Sequence, residues 1–150
     1  MIKLHINNFY VSNEHPFILI AGPCVIENRD HVIKMAKLIN NIAKEIIINY
    51  IFKTSFDKAN RTSIKSSRGV KIEEAIDIFS EIKDKFNCPI LTDVHSESQC
   101  EMLGKKNEVD SIQIPAFLSR QTDLLISAGN TNKIVNVKKG QFLSPHDIPN

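Results

Sequence analysis

The chain has 150 residues, of which 42% are hydrophobic and 24% are charged. This composition supplies the apolar side chains of a folded core and excludes an intrinsically disordered protein. Its 19 basic and 17 acidic residues leave a net charge of +2, and they are spread along the sequence. Proteins that bind nucleic acid or membrane surfaces typically concentrate basic residues on one face, so we expect neither partner.

The opening segment and the spacing of the cysteines indicate the cellular compartment of the protein. The opening MIKLHINNFYVSNEHPF interrupts its apolar residues with polar ones and lacks the continuous apolar run of a signal peptide. No later run approaches the ~20 apolar residues of a membrane span. Cys24, Cys88 and Cys100 stand at irregular spacing without a C-x-x-C pair, which is typical of reduced thiols. We therefore expect a cytoplasmic protein.

Hydrophobic periodicity predicts strands that alternate with helices. The run PFILIAG, residues 16–22, is continuously apolar, as expected for a strand buried on both faces. Further strands are predicted at residues 49–53, 89–95, 109–115 and 133–139. Apolar residues recur at helical spacing over residues 29–48, 71–86, 97–106 and 122–128, with Asn28 as the N-cap of the first helix. A long polar loop is predicted over residues 54–70.

This alternation is typical of right-handed βα units around a parallel sheet, either an open doubly wound sheet or part of a (β/α)8 barrel. The first strand-to-helix turn, AGPCVIENRD, lacks the G-x-G-x-x-G of a dinucleotide site, so we favour the barrel. A closed barrel takes ~250 residues and eight strands. We therefore expect residues 1–150 to form one incomplete α/β domain, a TIM-barrel type truncated to about its first five βα units. Its last strand should carry unpaired backbone groups beside exposed apolar residues.

Polar side chains follow each predicted strand at its carboxyl end, where parallel βα sheets bind ligands. Guanidinium groups bind phosphate or carboxylate through paired hydrogen bonds, and ammonium groups supply compact charge. The rim is therefore predicted to bind small substrates with several negative charges, although the segment KTSFDKANRTS alone could equally be a solvated loop. The residues expected at this rim are Pro23, Cys24, Glu27, Lys53, Ser55, Asp57, Lys58, Asn60, Arg61, Asp93, His95, Gln113, Pro115, Ala116, Phe117, Arg120, Lys138 and Gln141.

Four segments in this order, KTSFDKANRTS, TDVH, IQIPAFLSRQTD and NVKKGQFLSP, resemble the signatures of the 3-deoxy-D-manno-octulosonate 8-phosphate synthase family. The resemblance covers nearly the whole chain. It implies a (β/α)8-barrel transferase that condenses phosphoenolpyruvate with arabinose 5-phosphate and releases phosphate, on the route to the Kdo sugar of lipopolysaccharide. It also implies a cytoplasmic homo-oligomer, which is a tetramer in the family.

The resemblance implies roles for individual side chains. The phosphoenolpyruvate anion is expected to contact Lys53, Lys58, Lys138, Gln113 and the Ala116 region, and the sugar phosphate to contact Asn60 and Arg61. Ser55 and Asp93 are expected near the sugar hydroxyls, and Phe117 and Arg120 near a subunit boundary. The catalytic set implied in this way is Lys53, Lys58, Asp93 and Lys138.

Cys24 divides the family that the chain resembles. Members that need a divalent metal carry Cys after the Gly-Pro of the first strand, as here, and metal-independent members carry Asn. A thiolate suits zinc or iron and accepts other first-row ions such as manganese. The resemblance thus implies a divalent metal held in part by Cys24, with its other ligands, a His, a Glu and an Asp, absent from these residues. His95 is left out of the metal set, and Cys88 and Cys100 are expected to be inert.

Two alternatives remain open. The first is a related 3-deoxy-D-arabino-heptulosonate 7-phosphate synthase that uses erythrose 4-phosphate, although such enzymes tend to show a shorter KPRTSP-like motif in place of SFDKANR. The second is a non-catalytic half-barrel that retains only anion binding or assembly contacts. The chain also departs from the resembled pattern at Ser96-Glu97, where Glu-Pro is usual, and at SAGNTNK, where a short Thr-Gly-Lys turn is usual.

Overall fold

The computed structural model describes residues 3–59, 63–65 and 68–148. A short hairpin of β1 (Leu4–Ile6) and β2 (Phe9–Val11) precedes an alternation of strands and helices. The later strands are β3 (Leu19–Ala21), β4 (Tyr50–Lys53), β5 (Ile90–Asp93), β6 (Ser111–Ile114) and β7 (Ile134–Val137). The helices are α1 (Arg29–Glu45), α2 (Ile72–Phe86), α3 (Glu97–Gly104) and α4 (Thr122–Gly129), with 3₁₀ turns at Ala116–Leu118 and Pro145–Asp147.

Strands β3 to β7 form one parallel sheet in which each strand pairs with its sequence neighbours, in the order β3-β4-β5-β6-β7. One helix lies between each successive pair of strands, and the sheet curls into a half-barrel. A doubly wound sheet reverses its strand order at a switch point, whereas a barrel adds each strand beside the previous one. The prediction of a TIM-barrel type with about five βα units is therefore confirmed.

Alternate strand residues face two environments. The outward face carries Phe52, Ile90 and Ile112, which are fully buried against the helices. The inward face is apolar near the amino ends of the strands, where Ile51 and Leu91 are buried. Farther along the same face the residues are Lys53, Asp93, Gln113 and Asn136, because successive side chains alternate between faces. The strand period thus places charged and amide groups inside the half-barrel, at its carboxyl end.

The β1–β2 hairpin is an element that the hydrophobic pattern did not predict. Its turn begins at Asn7, whose φ of 50° is a left-handed conformation that asparagine adopts more readily than most residues. Ile6 and Phe9 pack against Ile51 and Leu91 below the sheet. The polar residues that interrupt the opening segment therefore belong to a hairpin that covers the amino-terminal end of the half-barrel.

The predicted elements run past the observed ends. The first helix stops at Glu45 rather than residue 48, the third stops at Gly104 rather than residue 106, and the strand expected over residues 16–22 pairs only over Leu19–Ala21. An apolar pattern does not mark the last backbone hydrogen bond of an element, and the residues beyond these ends include the exposed Phe17, Ile46 and Ile47. The predicted N-cap is confirmed, because Asn28 Oδ1 accepts the His31 N–H at 2.9 Å.

The two outer strands of the sheet, β3 and β7, each pair on one side only within the described residues. Ile20 on β3 is 44% exposed and Val137 on β7 is 43% exposed. The expectation of an open last strand beside exposed apolar side chains is confirmed for β7. In the described part of the chain, no helix has the length and apolar composition that a membrane crossing requires.

Candidate anion-binding site

A hydrogen-bonded ion pair lies where β4 and β5 end. Lys53 Nζ donates to Asp93 Oδ2 at 3.1 Å and to Ser55 Oγ at 2.8 Å, and Ser55 Oγ donates to the same carboxylate oxygen. The side chains of Lys53 and Asp93 are only 17% and 13% exposed to solvent. The ammonium is therefore held in one position with little solvent around it.

Gln113 and Asn136 continue this network across β6 and β7. The strand register pairs Asp93 with Gln113 and Gln113 with Asn136, so the three side chains stand side by side on the inward face. Gln113 Nε2 donates to Asp93 Oδ1, and Asn136 Nδ2 donates to Gln113 Oε1 at 2.8 Å. The structure thus brings together four predicted residues, Lys53, Ser55, Asp93 and Gln113, and adds Asn136.

Asn136 is absent from the residues predicted from the sequence. A signal for it exists, because Asn136 precedes Lys138 by two positions and therefore shares its side of the strand. The network pairs one ammonium with one carboxylate, so it carries no surplus charge of its own. The positive charge that an anionic ligand needs must come from the basic residues around it.

Lys138 and Arg120 are two such residues at the same end of the sheet. The backbone N–H of Lys138 donates to the Ile114 carbonyl at 3.0 Å, which fixes Lys138 beside the end of β6. Both side chains are exposed, and neither forms a hydrogen bond or ion pair with the described residues. Their charges are therefore accessible from solvent.

The polar loop after β4 is tied together at its base. Arg68 forms a bidentate pair with Asp57, with Nε to Oδ1 at 2.8 Å, and the Asp57 carboxylate raises the pKa of Arg68. The Lys58 N–H donates to the Arg68 carbonyl at 2.6 Å, and the Lys58 side chain is half-buried. Sequence reasoning did not single out Arg68. The predicted sugar-phosphate contacts Asn60 and Arg61 lie outside the described residues.

A cleft of about 440 Å³ opens beside the loop base and the 3₁₀ turn after β6. The His95 ring meets the Phe56 ring edge to face, with centroids 6.3 Å apart. Burial lowers the pKa of His95, against the opposing effect of the Asp93 and Asp57 carboxylates, so the imidazole is neutral at pH 7. The residues that line the cleft are Ala59, His95, Pro115, Ala116, Phe117, Leu118 and Gln141.

Cys24 lies at the border of the network. The backbone after β3 runs beside the backbone after β4, where the Ser55 N–H donates to the Cys24 carbonyl at 3.4 Å and Val25 pairs with Ser55. Gly22 makes this approach possible, because a Cβ at that position would overlap the Lys53 carbonyl oxygen. The register therefore carries Cys24 to the same end of the sheet as Ser55.

The donor set around Cys24 is incomplete for a metal. Its thiol is free and exposed. Over residues 3–59, 63–65 and 68–148, no group of three or more His, Cys, Asp or Glu side chains is placed to hold a metal ion. Zinc sites in proteins use three or four protein ligands, so these residues do not form a metal site by themselves.

The other two cysteines are buried, as the prediction of inert thiols requires. Cys88 packs in the main core and Cys100 is fully buried on α3. Burial raises the pKa of both thiols, which keeps them in the unreactive protonated form at neutral pH.

The fold and the site together define a (β/α)-barrel protein whose polar and basic side chains collect at the carboxyl ends of its strands. A profile of the DAHP synthetase I family matches residues 2–150, and the chain belongs to that family.

Curated relatives of this chain carry one name within the family. It is 55% identical over 150 residues to a protein of Rickettsia typhi named 2-dehydro-3-deoxyphosphooctonate aldolase, covering 100% of this chain and 53% of the relative. It is 54% identical over 145 residues to a protein of the same name from Bartonella henselae, covering 97% of this chain and 51% of the relative. The chain thus spans about half the length of the curated relatives it matches. The resemblance to octulosonate 8-phosphate synthases is confirmed.

Proposed function

We propose that this chain carries the substrate-binding residues of an enzyme that condenses phosphoenolpyruvate with arabinose 5-phosphate to 3-deoxy-D-manno-octulosonate 8-phosphate and phosphate. The observation that carries the proposal is the network of Lys53, Ser55, Asp93 and Gln113 at the strand ends. It lies in a chain more than half identical to relatives named for the octonate phosphate. Their name favours this product over the heptulosonate of the related synthases.

In the proposed reaction, a bond forms between C3 of phosphoenolpyruvate and the C1 aldehyde carbon of the sugar. The oxygen of water adds at C2, the bond from C2 to the phosphate oxygen breaks, and C2 becomes a ketone. Of the two protons of that water, one ends on the former aldehyde oxygen and the other leaves with the phosphate. Two anionic substrates repel each other unless nearby cations compensate their charge. We assign Lys53, Lys58 and Lys138 to the contact with the phosphoenolpyruvate anion. Lys53 offers a fixed N–H donor, because Asp93 offsets its charge, and the exposed Lys138 offers positive charge.

The geometry of Lys53 supports its role. An ammonium group has three N–H donors, and two of those on Lys53 point to Ser55 and Asp93. The third N–H is left for a ligand inside the half-barrel. A cation whose position is fixed before the substrate arrives does not need to reorganise on binding, which is the basis of electrostatic preorganisation.

Cys24 is proposed as one ligand of a divalent metal of the zinc, iron or manganese type. Its exposed thiol and its backbone contact with Ser55 support this assignment. The other ligands must come from outside the described residues, and no reaction step is assigned to the metal. In this chain completed with the remaining segment of the Rickettsia typhi relative, metal bound after dialysis against zinc should fall in Cys24→Asn and stay unchanged in Cys88→Ala, because Cys88 is buried.

The proposed assembly of this chain is taken from the octulosonate 8-phosphate synthases that it resembles. We propose a homo-oligomer, a tetramer as in the family, with Phe117 and Arg120 at a contact between subunits. Phe117 is 55% exposed and Arg120 is exposed, which supports such a contact. Light scattering should report a smaller assembly for Phe117→Ser.

Three free thiols are typical of a reducing compartment, and we propose the cytoplasm.

The test is a chimera in which this chain replaces the matched segment of the Rickettsia typhi relative, which is 55% identical to it. Purified chimera should release phosphate from phosphoenolpyruvate with arabinose 5-phosphate faster than with erythrose 4-phosphate, in the presence of divalent metal. In the same chimera, Lys58→Ala should abolish turnover and leave the unfolding midpoint unchanged. A Lys37→Ala chimera, altered on the exposed side of α1, is the matched control.

Each failure of this test has its own meaning. Preference for erythrose 4-phosphate would support the heptulosonate alternative. A folded chimera that binds phosphoenolpyruvate but releases no phosphate would support the non-catalytic half-barrel. Near-normal phosphate release by the Lys58→Ala chimera would remove Lys58 from the catalytic set.

A further inference from the structure

The side-chain network at the strand ends has a fixed direction. The Asp93 carboxylate can only accept hydrogen bonds, so the Gln113 amide must turn its Nε2 toward Asp93. The Gln113 carbonyl oxygen then points to β7, where it needs a donor. Asn136 Nδ2 supplies that donor at 2.8 Å. Asn136 is thus the residue on β7 that supports the direction that Asp93 imposes on the Gln113 amide.

We propose that Asn136 is a positioning residue that orients the Gln113 amide and, through Asp93, the Lys53 ammonium. This inference rests on the proposed function only in assigning phosphoenolpyruvate to Lys53. The chain of contacts from Asn136 to Lys53 crosses four adjacent strands and contains Gln113 and Asp93 as its two middle members. None of the roles assigned above includes Asn136.

The surroundings of Asn136 leave Gln113 no equivalent donor on β7. The next inward position toward the amino end of β7 is Ile134, which offers no donor. The side chains around it include the apolar Ile51 and Leu91, and the Ser111 hydroxyl beside it on β6 donates to the Ile90 carbonyl. The next inward position toward the carboxyl end is Lys138, whose side chain is exposed and forms no hydrogen bond with the described residues. Removing the amide donor of Asn136 therefore leaves the Gln113 carbonyl oxygen without its partner.

Asn136→Asp separates orientation from packing, since the two side chains have nearly the same shape. An ionised carboxylate only accepts, so it would draw Gln113 Nε2 toward β7 and set the Gln113 carbonyl oxygen against Asp93. A protonated carboxyl group can donate its O–H to Gln113 and restore the original direction. The titratable groups that face this position are Asp93 on β5 and Lys53 on β4, with Lys138 on β7 itself. The defect should therefore shrink as the pH falls.

Two measurements test the proposal on the full chain. The first is the position of the Gln113 side-chain amide resonances in nitrogen–proton spectra, identified by their loss in Gln113→Leu. They should shift in Asn136→Asp at pH 7.5 and return toward the wild-type position as the pH is lowered toward about 4, where an aspartyl carboxyl of ordinary pKa takes up its proton. The shift in Asn136→Ala should not depend on pH. The second is phosphoenolpyruvate affinity by calorimetry, which should be about 10- to 100-fold weaker in Asn136→Asp at pH 7.5 and recover relative to wild type at lower pH.

Asn130→Asp is the matched control, because Asn130 is exposed at the end of α4 and should leave both measurements unchanged. Gln113 resonances that are the same in wild type, Asn136→Asp and Asn136→Ala would overturn the proposal, as would an Asn136→Asp defect that does not change with pH. If Asn136→Asp does not fold, Asn136→Ala decides through the Gln113 resonances alone. Failure of the wild-type chain to bind phosphoenolpyruvate would contradict the proposed function, while the amide measurement would still decide the role of Asn136.

Discussion

At the scale of single residues, the Lys53–Asp93 ion pair holds the polar network at the strand ends in place. Asp93→Asn keeps the shape of the side chain but leaves the Lys53 ammonium without its counter-ion in a site with little solvent. We expect it to lower the free energy of unfolding by about 1.5–3 kcal/mol, as for a lost hydrogen bond to a charged group. Urea unfolding measures this change. The control is Asp77→Asn, on the exposed face of α2, whose free energy of unfolding should stay within about 0.5 kcal/mol of wild type. Equal effects of the two substitutions would argue against a stabilising Lys53–Asp93 ion pair.

His95 gives a residue-scale prediction about pH. Burial lowers its pKa in the folded chain, so below the unfolded value of ~6.5 the unfolded state binds a proton that the folded state does not. The free energy of unfolding should therefore fall as the pH drops through that range, and part of this loss should be absent in His95→Gln. Urea unfolding between about pH 7.5 and about pH 5.5 measures it. His146→Gln, which alters an exposed imidazole, should retain the full pH dependence of wild type.

The position of each site residue within its strand explains whether it could be predicted from the sequence. Lys53 closes one predicted strand and Asp93 lies two residues before the end of another, so their place near the rim follows from the strand pattern alone. Asn136 stands inside a predicted strand, and its part depends on the register between β6 and β7, which no single segment contains. The pairing of Arg68 with Asp57 likewise joins two ends of a loop whose path is not encoded by periodicity.

At the scale of elements, the approach of the turn after β3 to the end of β4 depends on Gly22. A Cβ there would overlap the Lys53 carbonyl oxygen, so Gly22→Ala must displace backbone that carries the site. We expect a loss of about 3 kcal/mol or more in the free energy of unfolding. Gly129→Ala is the matched control, since a Cβ at this helical position meets nothing within 4 Å and should stabilise the chain by about 0.5–1 kcal/mol. A fully stable Gly22→Ala chain would contradict the described turn.

The elements themselves were predictable where they are long and periodic. The apolar faces of α1 and α2 repeat at helical spacing over several turns, and both helices occur where the pattern indicates. The strands of the β1–β2 hairpin have three residues each, too few for a period of two to register. Its fixed position comes instead from Ile6 and Phe9, which are buried against β4 and β5.

At the scale of the whole molecule, the alternation of strands and helices predicts right-handed βα units but leaves two strand orders open. The first strand-to-helix turn, which lacks G-x-G-x-x-G, favoured the sequential order that the sheet has. The curled sheet then gathers side chains from separate strands at one end. Composition could not reveal that Lys53 is paired with Asp93, or that the surplus positive charge at this end of the sheet must come from other basic residues such as Lys138. This follows only from the three-dimensional arrangement.

The most direct test of the account is the affinity of the chain for phosphoenolpyruvate, measured by isothermal titration calorimetry. The wild-type chain should bind it, and Lys53→Met should bind it at least about 10-fold more weakly, a difference of about 1.4 kcal/mol. Lys37→Met, which removes an exposed charge from α1, should bind as wild type does. No binding by the wild-type chain, or equal affinity of wild type and Lys53→Met, would contradict a site built around the Lys53 ammonium.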